Sequence, residues 1–211
     1  EAALRSMGVV VWAMEEYEAD DALASAAAVA AADKKVTQVQ ILSPDKDLGQ
    51  CVVGDRVVQI DRRKMSKGED GLVDEKAVIA KFGIPPASIA DYLGLVGDTA
   101  DGFPGLPGWG AKSAATVLAR YGHIEAIPDD ESKWDVPGLR GAAKLAGSLR
   151  DNRELALLFR RIATTVTTVP VGRVSEWRWS GPTDDFVEFC ADLGAPRLAE
   201  KAAGLARTRG R

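Results

Sequence analysis

Residues 9–48 read VVVWAMEEYEADDALASAAAVAAADKKVTQVQILSPDKDL, and this stretch decides the fold. The apolar run Val9–Trp12 is typical of a short buried strand. Asp20–Lys35 follows as an alanine-rich segment with apolar residues at helical spacing, and Val36–Leu42 is a second strand-like run. Strand, helix and strand in this order predict an α/β fold with a parallel sheet.

The segments on either side of this stretch extend the α/β pattern. Glu1–Met7 is predicted to be a helix that Gly8 closes. Val52-Val53 and Val57–Ile60 are predicted strands joined by a Gly54-Asp55 turn. A further helix is predicted at Asp74–Phe82, ended by Gly83 and followed by Pro85 and Pro86.

From Pro86 onward the chain is predicted to be helical, with glycine and proline turns. The predicted elements are helices at Ala87–Val96 and Ala111–Tyr121, an amphipathic helical pair within Arg140–Thr165, closing elements at Val174–Trp179 and Asp184–Leu193, and a basic, mobile tail at Arg207–Arg211. We therefore expect three parts: an α/β portion in residues 1–85, a helical region in residues 86–170, and closing elements with the tail in residues 171–211.

The composition is that of a soluble globular protein, with 46% apolar and 27% charged residues and no apolar run long enough to cross a membrane. The cysteines Cys51 and Cys190 lack metal-ligand spacing and favour free thiols in a reducing cytoplasm over a disulfide. The single histidine, His123, excludes a histidine-rich metal site and argues against a Ser/His/Asp or Cys/His nucleophile.

The charge of the chain is unevenly distributed. Its net charge of −4 does not by itself favour nucleic-acid binding. The first 106 residues, however, carry 11 basic and 18 acidic side chains, whereas the remaining residues carry 16 basic and 13 acidic ones. Such an asymmetry suits a protein that holds cations at one place and phosphates at another, although an uneven solvated surface is the alternative.

Seven carboxylates fall into three groups, each after an apolar element: Glu18, Asp20 and Asp21; Asp45 and Asp47; Asp98 and Asp101. Each group alone has an ordinary explanation, as a helix N-terminus, a polar turn or a solvated loop. Packed together without cations, the groups would repel one another. Hard oxygen ligands in this number suit Mg²⁺ or Mn²⁺. Two such ions about 4 Å apart can activate a water and stabilise the leaving oxygen in phosphodiester hydrolysis.

Residues 104–114, PGLPGWGAKSA, are typical of a helix-hairpin-helix motif, which grips a phosphate backbone independently of sequence. Glycines let backbone amides approach a phosphate, and the following helix N-terminus adds positive potential. The spacing is not that of a Walker P-loop. The candidate DNA-binding residues are Gly105, Gly108, Trp109, Gly110, Lys112 and Ser113. An ordinary corner between helices is the alternative, and Trp109 could equally fill the core.

Together these motifs, in this order, resemble one known family. They are YEADD at residues 17–21, SPDKDL at residues 43–48, GDTADGFPG at residues 97–105, and the hairpin that follows. They are similar to the bacterial 5′-3′ exonuclease and flap endonuclease family, which includes the 5′-nuclease domain of DNA polymerase I. The resemblance runs from residue 1 to about residue 170, and four linked motifs make it highly specific.

The resemblance implies a PIN-like α/β nuclease core with a helix-two-turn-helix element. It also implies two divalent metals, with Glu18, Asp20, Asp21 and Asp45 around one ion and Asp47, Asp98 and Asp101 nearer the other. Among these we expect Asp21, Asp45 and Asp98 to act in catalysis. The hairpin would hold the double-stranded part of the substrate, with K⁺ bound there. Lys46, between two ligands, either meets a phosphate or balances the acids.

Two departures from the family accompany the resemblance. Gly102 stands where the family usually has Asn, which would loosen local hydrogen bonding without removing a ligand. The family also has a segment upstream of the position of Glu1, which supplies a first-strand Asp, a further acidic ligand and a basic helical arch. Without that segment we expect weak metal binding and poor cleavage. The closing elements favour a stand-alone nuclease over a polymerase fragment.

The leading functional hypothesis is a structure-selective 5′ nuclease that acts on DNA flaps, nicks and 5′ ends, including RNA primer ends, in replication and repair. The alternative is a DNA-structure-binding relative without catalytic activity. A PIN-type ribonuclease is a third option, against which the hairpin argues. No membrane partner and no obligate oligomer are indicated.

Overall fold

A computed structural model describes residues 1–209 and contains a three-stranded sheet in the order β1-β2-β3. The strands are β1 Val39–Ile41, β2 Val57–Ile60 and β3 Leu72–Val73. Strands β1 and β2 are parallel, with Val39 opposite Val57, whereas β2 and β3 are antiparallel, with Gln59 opposite Val73. The sheet thus contains a parallel pair, as expected, but it joins β1 to β2 rather than residues 9–12 to residues 36–42. The third strand, which was not predicted, makes the sheet mixed.

Ten α-helices account for slightly less than half of the remaining described chain. They are α1 Ala2–Ser6, α2 Ala19–Ala32, α3 Arg62–Met65, α4 Glu75–Phe82, α5 Ile89–Val96, α6 Ala111–Tyr121, α7 Ala142–Asp151, α8 Arg153–Ala163, α9 Phe186–Asp192 and α10 Pro196–Arg209. Short 3₁₀ helices lie at Asp47–Cys51, Pro86–Ser88, Ile124–Ala126, Glu131–Lys133 and Val174–Glu176. The predicted helices at residues 74–82, 111–121 and 140–165 are confirmed, the last as the pair α7 and α8.

Two helices begin and end where their sequences indicate. Helix α4 starts because Asp74 Oδ1 accepts a hydrogen bond from the amide of Ala77 at 2.8 Å, and it ends at Gly83 in the left-handed conformation. Helix α2 starts with a reciprocal capping box between Glu18 and Asp21. These caps place the first acidic group at the N-terminus of α2.

Four predicted features differ from the structure. Val9–Trp12 forms no buried strand: Val9 and Val10 are exposed, whereas the Trp12 indole packs edge-on against Trp177, with 5.2 Å between centroids, and its N–H donates to the carbonyl of Val171. The predicted strand at 36–42 shortens to β1, and Val53 contributes only one bridge, to Val57.

The predicted mobile tail is the fourth difference. Residues 207–209 belong to helix α10, whose Ala199 and Ala202 are buried against α9, and the Arg209 guanidinium lies 5.6 Å from the centre of the Trp179 ring. Residues 210–211 lie outside the described residues. The predicted closing element at residues 184–193 corresponds to α9.

The largest hydrophobic cluster joins α5, α6, α7 and α8, and α5 packs extensively against α8. In this cluster the Phe103 ring stacks on Phe159 with centroids 5.4 Å apart. A smaller cluster joins α2 to the sheet through Ala27, Ile41 and the completely buried Leu48. Leu48 thereby anchors the 3₁₀ helix that begins at Asp47, so the second acidic group is held against the core.

Within residues 1–209, no helix combines the length and the apolar character needed to span a bilayer. Both cysteines are free thiols in the structure, as the sequence predicts, with Cys190 buried and Cys51 partly buried.

Candidate metal centre and nucleic-acid interface

The third acidic group lies on a tight loop at the end of α5. Asp98 and Phe103 exchange two backbone hydrogen bonds of 2.8 and 3.0 Å, which closes the loop. Gly97 and Gly105 cross at its base, both with positive φ (89° and 70°), and a Cβ on Gly105 would overlap the backbone of Val96. Only glycine therefore fits this crossing. The loop holds Asp98 and Asp101 on one small platform.

The second acidic group is fixed by two buried or half-buried amides. Gln59 on β2 donates to the carbonyls of Ser43, at 2.7 Å, and Asp45, and so pins the loop that follows β1. Gln50 donates to the carbonyls of Asp47 at 2.8 Å and Ala163 at 3.0 Å, which ties the 3₁₀ helix to the end of α8. The sequence analysis missed both glutamines. A polar residue inside the apolar strand VVQI is the signal that points to Gln59.

These two loops bring Asp47, Asp98 and Asp101 together, and one carboxylate oxygen from each lies within 4.8 Å of the others. Asp98 is buried, Asp47 half-buried and Asp101 exposed. The Oδ1 atom of Asp47 is buried and accepts no hydrogen bond. The ammonium of Lys46 lies 3.6 Å from it, which is an ion pair but too long for a hydrogen bond. A buried carboxylate oxygen without a partner, beside two more carboxylates, fits a bound cation.

The electrostatics of this cluster depend on one cation of the chain. Burial acts to raise the pKa of Asp98, but hydrogen bonds from Lys46 and from the amides of Ala100 and Asp101 outweigh it, so this pKa lies below its ordinary value. Burial raises the pKa of Asp47 to about 7; Lys46 opposes this effect, and the nearby Asp45, Asp101 and Asp98 add to it. The pKa of Lys46 is itself raised: burial lowers it, but the hydrogen bond to Asp98 and the charges of Asp47, Asp98 and Asp45 prevail. The ammonium of Lys46 therefore offsets only part of the repulsion between the carboxylates of the cluster.

In the first acidic group, adjacent residues serve different purposes. Both oxygens of Asp21 accept backbone hydrogen bonds, from Glu18 at 3.1 Å and from Val166 at 2.7 Å, so Asp21 caps α2 and holds the segment after α8. Asp20 instead faces the acidic loops. Burial raises its pKa, and Asp45, Glu18, Asp21 and Asp101 add to the effect in that order. Each oxygen of Asp21 thus accepts one backbone hydrogen bond and keeps a second lone pair, so Asp21 stays a candidate ligand and catalytic carboxylate.

Asp45 and Glu18 lie at the exposed edge of the acidic region. Asp45 Oδ1 accepts a hydrogen bond from the amide of Asp47 at 3.0 Å, which fixes the turn between them. Glu18 caps α2 together with Asp21. Neither carboxylate belongs to the close group of three.

The predicted hairpin forms, but two of its candidate residues are buried. The Trp109 indole is 6% exposed, lies in the largest hydrophobic cluster and donates its N–H to the carbonyl of Leu145 at 3.2 Å. Of the two interpretations of Trp109, the structure therefore favours core packing over contact with a ligand. Gly105 is buried at the backbone crossing, where its lack of a side chain serves the fold.

The other hairpin residues face a groove. Gly108, Gly110, Lys112 and Ser113 all line it, so the structure brings these predicted residues together at one surface. The Ser113 hydroxyl caps α6, because it donates to the carbonyl of Gly110 at 2.9 Å and accepts from its amide at 3.0 Å. Lys112 is exposed. Lys112 rather than the capped hydroxyl is thus the side chain free to meet an anion.

Two family models match consecutive parts of the chain. The N-terminal resolvase-like domain of the 5′-3′ exonucleases matches residues 1–83, and the C-terminal SAM fold of the 5′-3′ exonucleases matches residues 84–185. Together they include every acidic and glycine-rich motif described above.

Curated relatives give the same result. DNA polymerase I of Bacillus caldotenax is 34% identical over 170 residues, which are 80% of this chain and 18% of the relative. DNA polymerase I of Bacillus subtilis is 32% identical over 190 residues, which are 89% of this chain and 20% of the relative. A 5′-3′ exonuclease of Aquifex aeolicus is 40% identical over 131 residues, covering 62% of this chain and 43% of the relative. The chain thus spans about a fifth of the polymerase relatives.

Solved structures share the fold at lower identity. A T5 5′-exonuclease with bound zinc has a TM-score of 0.57 at 16% identity and covers 86% of this chain and 62% of that one. A bacteriophage T5 flap endonuclease in complex with DNA and metal ions has a TM-score of 0.57 at 18% identity, covering 90% and 62%. The expected fold class, a nuclease core followed by a helical region, is confirmed. By both family models and by its relatives, the chain belongs to the 5′-3′ exonuclease family.

Proposed function

We propose that this chain hydrolyses phosphodiester bonds in DNA as a structure-selective 5′ nuclease that uses divalent cations. The observation that carries the proposal is the group formed by Asp47, Asp98 and Asp101, with ligand atoms within 4.8 Å of one another and a buried Asp47 oxygen that lacks a hydrogen-bond partner. Carboxylates in this arrangement are otherwise costly, since like charges repel and burial disfavours the charged form.

The donor set of the cluster fits Mg²⁺ or Mn²⁺, because its ligands are hard carboxylate oxygens. Asp47, Asp98 and Asp101 would hold one ion, and Asp20 and Asp45, with Glu18 at the edge, would hold a second. Two bound divalent cations supply an activated water and offset the charge on the leaving oxygen. We retain Asp21 as a further ligand of the second ion and as a catalytic carboxylate, since each of its oxygens accepts one backbone hydrogen bond and keeps a lone pair for a cation.

The neighbouring side chains have defined tasks in this proposal. Gln59 and Gln50 fix the loop that carries Asp45 and Asp47 through its backbone carbonyls, and Gln50 also ties this loop to the end of α8. Lys46 balances Asp98 in the free protein, and a cation that binds Asp98 would free its ammonium for a phosphate oxygen of the scissile strand. The two interpretations of Lys46 thus describe two states of one residue.

The proposed substrates are DNA duplexes with 5′ flaps, nicks or 5′ ends, including RNA primer ends. The groove at the hairpin supports this choice, because its exposed Lys112 and two turn glycines suit the phosphates of the double-stranded part. K⁺ at the hairpin is part of the same proposal. We also retain the division into residues 1–85, 86–170 and 171–211 as a proposed domain organisation.

A DNA-structure binder without hydrolytic activity is the second candidate. The observation that favours it is the pairing of Lys46 with Asp98, which neutralises a candidate ligand inside the protein without any metal. In this alternative the groove would still bind duplex DNA, and the carboxylates would have no catalytic task.

A labelled 5′-flap duplex distinguishes the candidates. The chain is incubated with this duplex with and without Mg²⁺, beside Asp98→Asn and the exposed control Asp55→Asn. Cleavage near the junction that requires Mg²⁺ and Asp98, and that Asp55→Asn retains, is the expected result. Tight binding without cleavage, under conditions in which the Aquifex exonuclease cleaves, would sink the hydrolase proposal and favour the binder.

A further inference from the structure

A second concave surface lies beside helix α10. Arg178, Trp179 and Ser180 form one side of this cavity, and Ala206 and Arg209 of α10 form the other. Its volume is about 480 Å³. None of these five residues lines the groove at the hairpin or belongs to the close group of carboxylates. Helix α10 also lies beyond residue 185, where the match to the family model ends, so one side of the cavity is outside the matched region.

The fold fixes the ring of Trp179 before any ligand binds. The indole N–H donates to the carbonyl of Met7 at 2.8 Å. Further along the same segment, Thr183 donates to the carbonyl of Ser6 through its amide at 2.9 Å and through its hydroxyl at 2.6 Å. The segment that carries Trp179 is thus pinned to the end of α1, which reduces the ordering cost of binding a ligand at the ring.

One face of this indole carries a cation. The Arg209 guanidinium lies 5.6 Å from the centre of the Trp179 ring, which is a cation–π contact. Within residues 1–209, neither Arg178 nor Arg209 forms an ion pair, and no acidic residue lines the cavity. The nearby Arg173, in contrast, pairs with Glu176 at 2.8 Å. Two unpaired arginines beside an aromatic plane suit an anion that also has a planar group.

Nucleotides of a single DNA strand combine these two properties. A nucleobase stacks on aromatic side chains, and phosphates accept charge-assisted hydrogen bonds from guanidinium groups. In a duplex the bases stack on one another, so only a single strand leaves a base free to reach Trp179. A peptide rich in carboxylates would engage the arginines but would leave the indole without a stacking partner.

We propose that this cavity binds one nucleotide of single-stranded DNA. The base stacks on Trp179 in place of the Arg209 guanidinium, and Arg178 and Arg209 then bind the phosphates on either side of that base. Among the described residues that line the cavity, only Ser180 remains to contact a base edge, so we expect little preference between bases. The inference goes beyond the proposed function, because it concerns a single strand and requires neither a metal nor cleavage.

Equilibrium binding of a fluorescent oligothymidylate in EDTA tests the inference. Trp179→Ala should raise the Kd about tenfold, because it removes the stacking surface. Arg178→Ala with Arg209→Ala should also raise the Kd, and should flatten the plot of log K against log salt by about 0.7 for each phosphate that is no longer neutralised. The control Arg197→Ala removes an exposed charge from the same helix outside the cavity and should change neither quantity.

Two further variants separate stacking from a general loss of structure. Trp179→Phe keeps a planar ring, Trp179→Leu keeps only an apolar side chain, and both remove the hydrogen bond to the carbonyl of Met7. Trp179→Phe should retain most of the affinity, whereas Trp179→Leu should lose as much as Trp179→Ala. Equal losses in Trp179→Phe and Trp179→Leu would assign the effect to the lost hydrogen bond and would overturn the stacking role.

Competition and duplex binding identify the ligand. Unlabelled oligothymidylate should displace the labelled strand, and a blunt duplex should bind Trp179→Ala as tightly as it binds the unaltered chain. Equal displacement by polyglutamate would overturn the inference in favour of an anionic peptide. An oligothymidylate affinity that Trp179→Ala leaves unchanged would overturn it as well. Neither result would touch the nuclease proposal, which depends on cleavage that requires Asp98.

Discussion

The acidic cluster and the basic groove at the hairpin are each built from like charges, but the chain assembles them in opposite ways. The cluster joins residues about fifty positions apart, Asp47 and Asp98, through loops that Gln50, Gln59 and the Gly97–Gly105 crossing hold. One wall of the groove comes from one continuous segment, residues 107–113. The cluster is partly neutralised by Lys46 of the chain, whereas Lys112, Arg140 and Lys144, which line the groove, form no ion pair within the described residues. The acidic cluster is thus assembled from single residues of distant loops, whereas the groove is lined by two continuous segments, residues 107–113 and 137–144, that two hydrogen bonds connect.

The largest expected effect comes from the glycine crossing that connects the two regions. Gly105→Ala places a methyl group into the backbone of Val96 at a φ of 70°, so we expect a loss of about 3 kcal/mol or more in the free energy of unfolding. Gly102→Ala is the matched control, because its φ is 80° but the space around it is open. It should cost only about 1 kcal/mol. Urea unfolding of both variants measures the difference, and equal losses would contradict the account of the crossing.

The next effect concerns the balance of charge in the cluster. Lys46→Ala removes the ammonium that pairs with buried Asp98, and we expect a loss of about 1 to 2 kcal/mol in EDTA after allowing for the partial exposure of Lys46. Adding Mn²⁺ should restore more stability to Lys46→Ala than to the unaltered chain, since the cation would take the place of the lost charge.

Thermal melting with and without Mn²⁺ measures this exchange of cations. The exposed Lys64→Ala is the control, because this residue carries the same charge outside the cluster. Identical Mn²⁺ responses of Lys46→Ala and Lys64→Ala would show that Lys46 has no special part in the balance.

The smallest effect is expected in the groove. Trp109→Phe keeps an aromatic ring in the core but removes the hydrogen bond to the carbonyl of Leu145, which should cost about 1 kcal/mol. Duplex affinity should fall moderately with an unchanged salt slope, because the turns loosen while every cation remains. Denaturant unfolding and binding titrations over a salt series measure both quantities. A changed salt slope would mean that Trp109 does more than fasten the turns.

Where the sequence carries local signals, the fold could be predicted. Helix α4 has its Asp74 cap and its Gly83 end, and α6 follows Gly110, so the bounds of both were close to those observed. Strand β3 could not be predicted, because two residues give no periodicity and its pairing with β2 is set by the tertiary fold. Val9–Trp12 has the apolar content of a strand, but the distant Trp177 and Val171 determine where Trp12 packs.

The candidate site could be predicted as a set of residues but not as an arrangement. The sequence motifs include Asp47, Asp98 and Asp101, because the acidic residues of each motif directly follow an apolar element. Asp20 and Asp21 are neighbours at the start of α2, and the direction of each side chain depends on its position around the helix. Asp20 faces the acidic cluster, whereas Asp21 faces the backbone amides that it accepts from. Residues 137–144, PGLRGAAK, also line the groove at the hairpin, but the motifs do not single them out, because this segment is two residues longer than the PGWGAK of the hairpin and has a different glycine spacing.

Residues 165–169, which follow α8, connect the two parts of the chain that the family models match, residues 1–83 and 84–185. They return to the α/β half, where Thr165, Val166 and Val169 donate backbone hydrogen bonds to Gln50, Asp21 and Ser25. Without this segment, Asp21 and Ser25 on α2 and Gln50 beside the Asp47 loop would each lose a backbone hydrogen-bond partner. A protease cut within the exposed residues 62–70 would leave two fragments that remain associated, because residues 165–169 of the second fragment donate hydrogen bonds to the first.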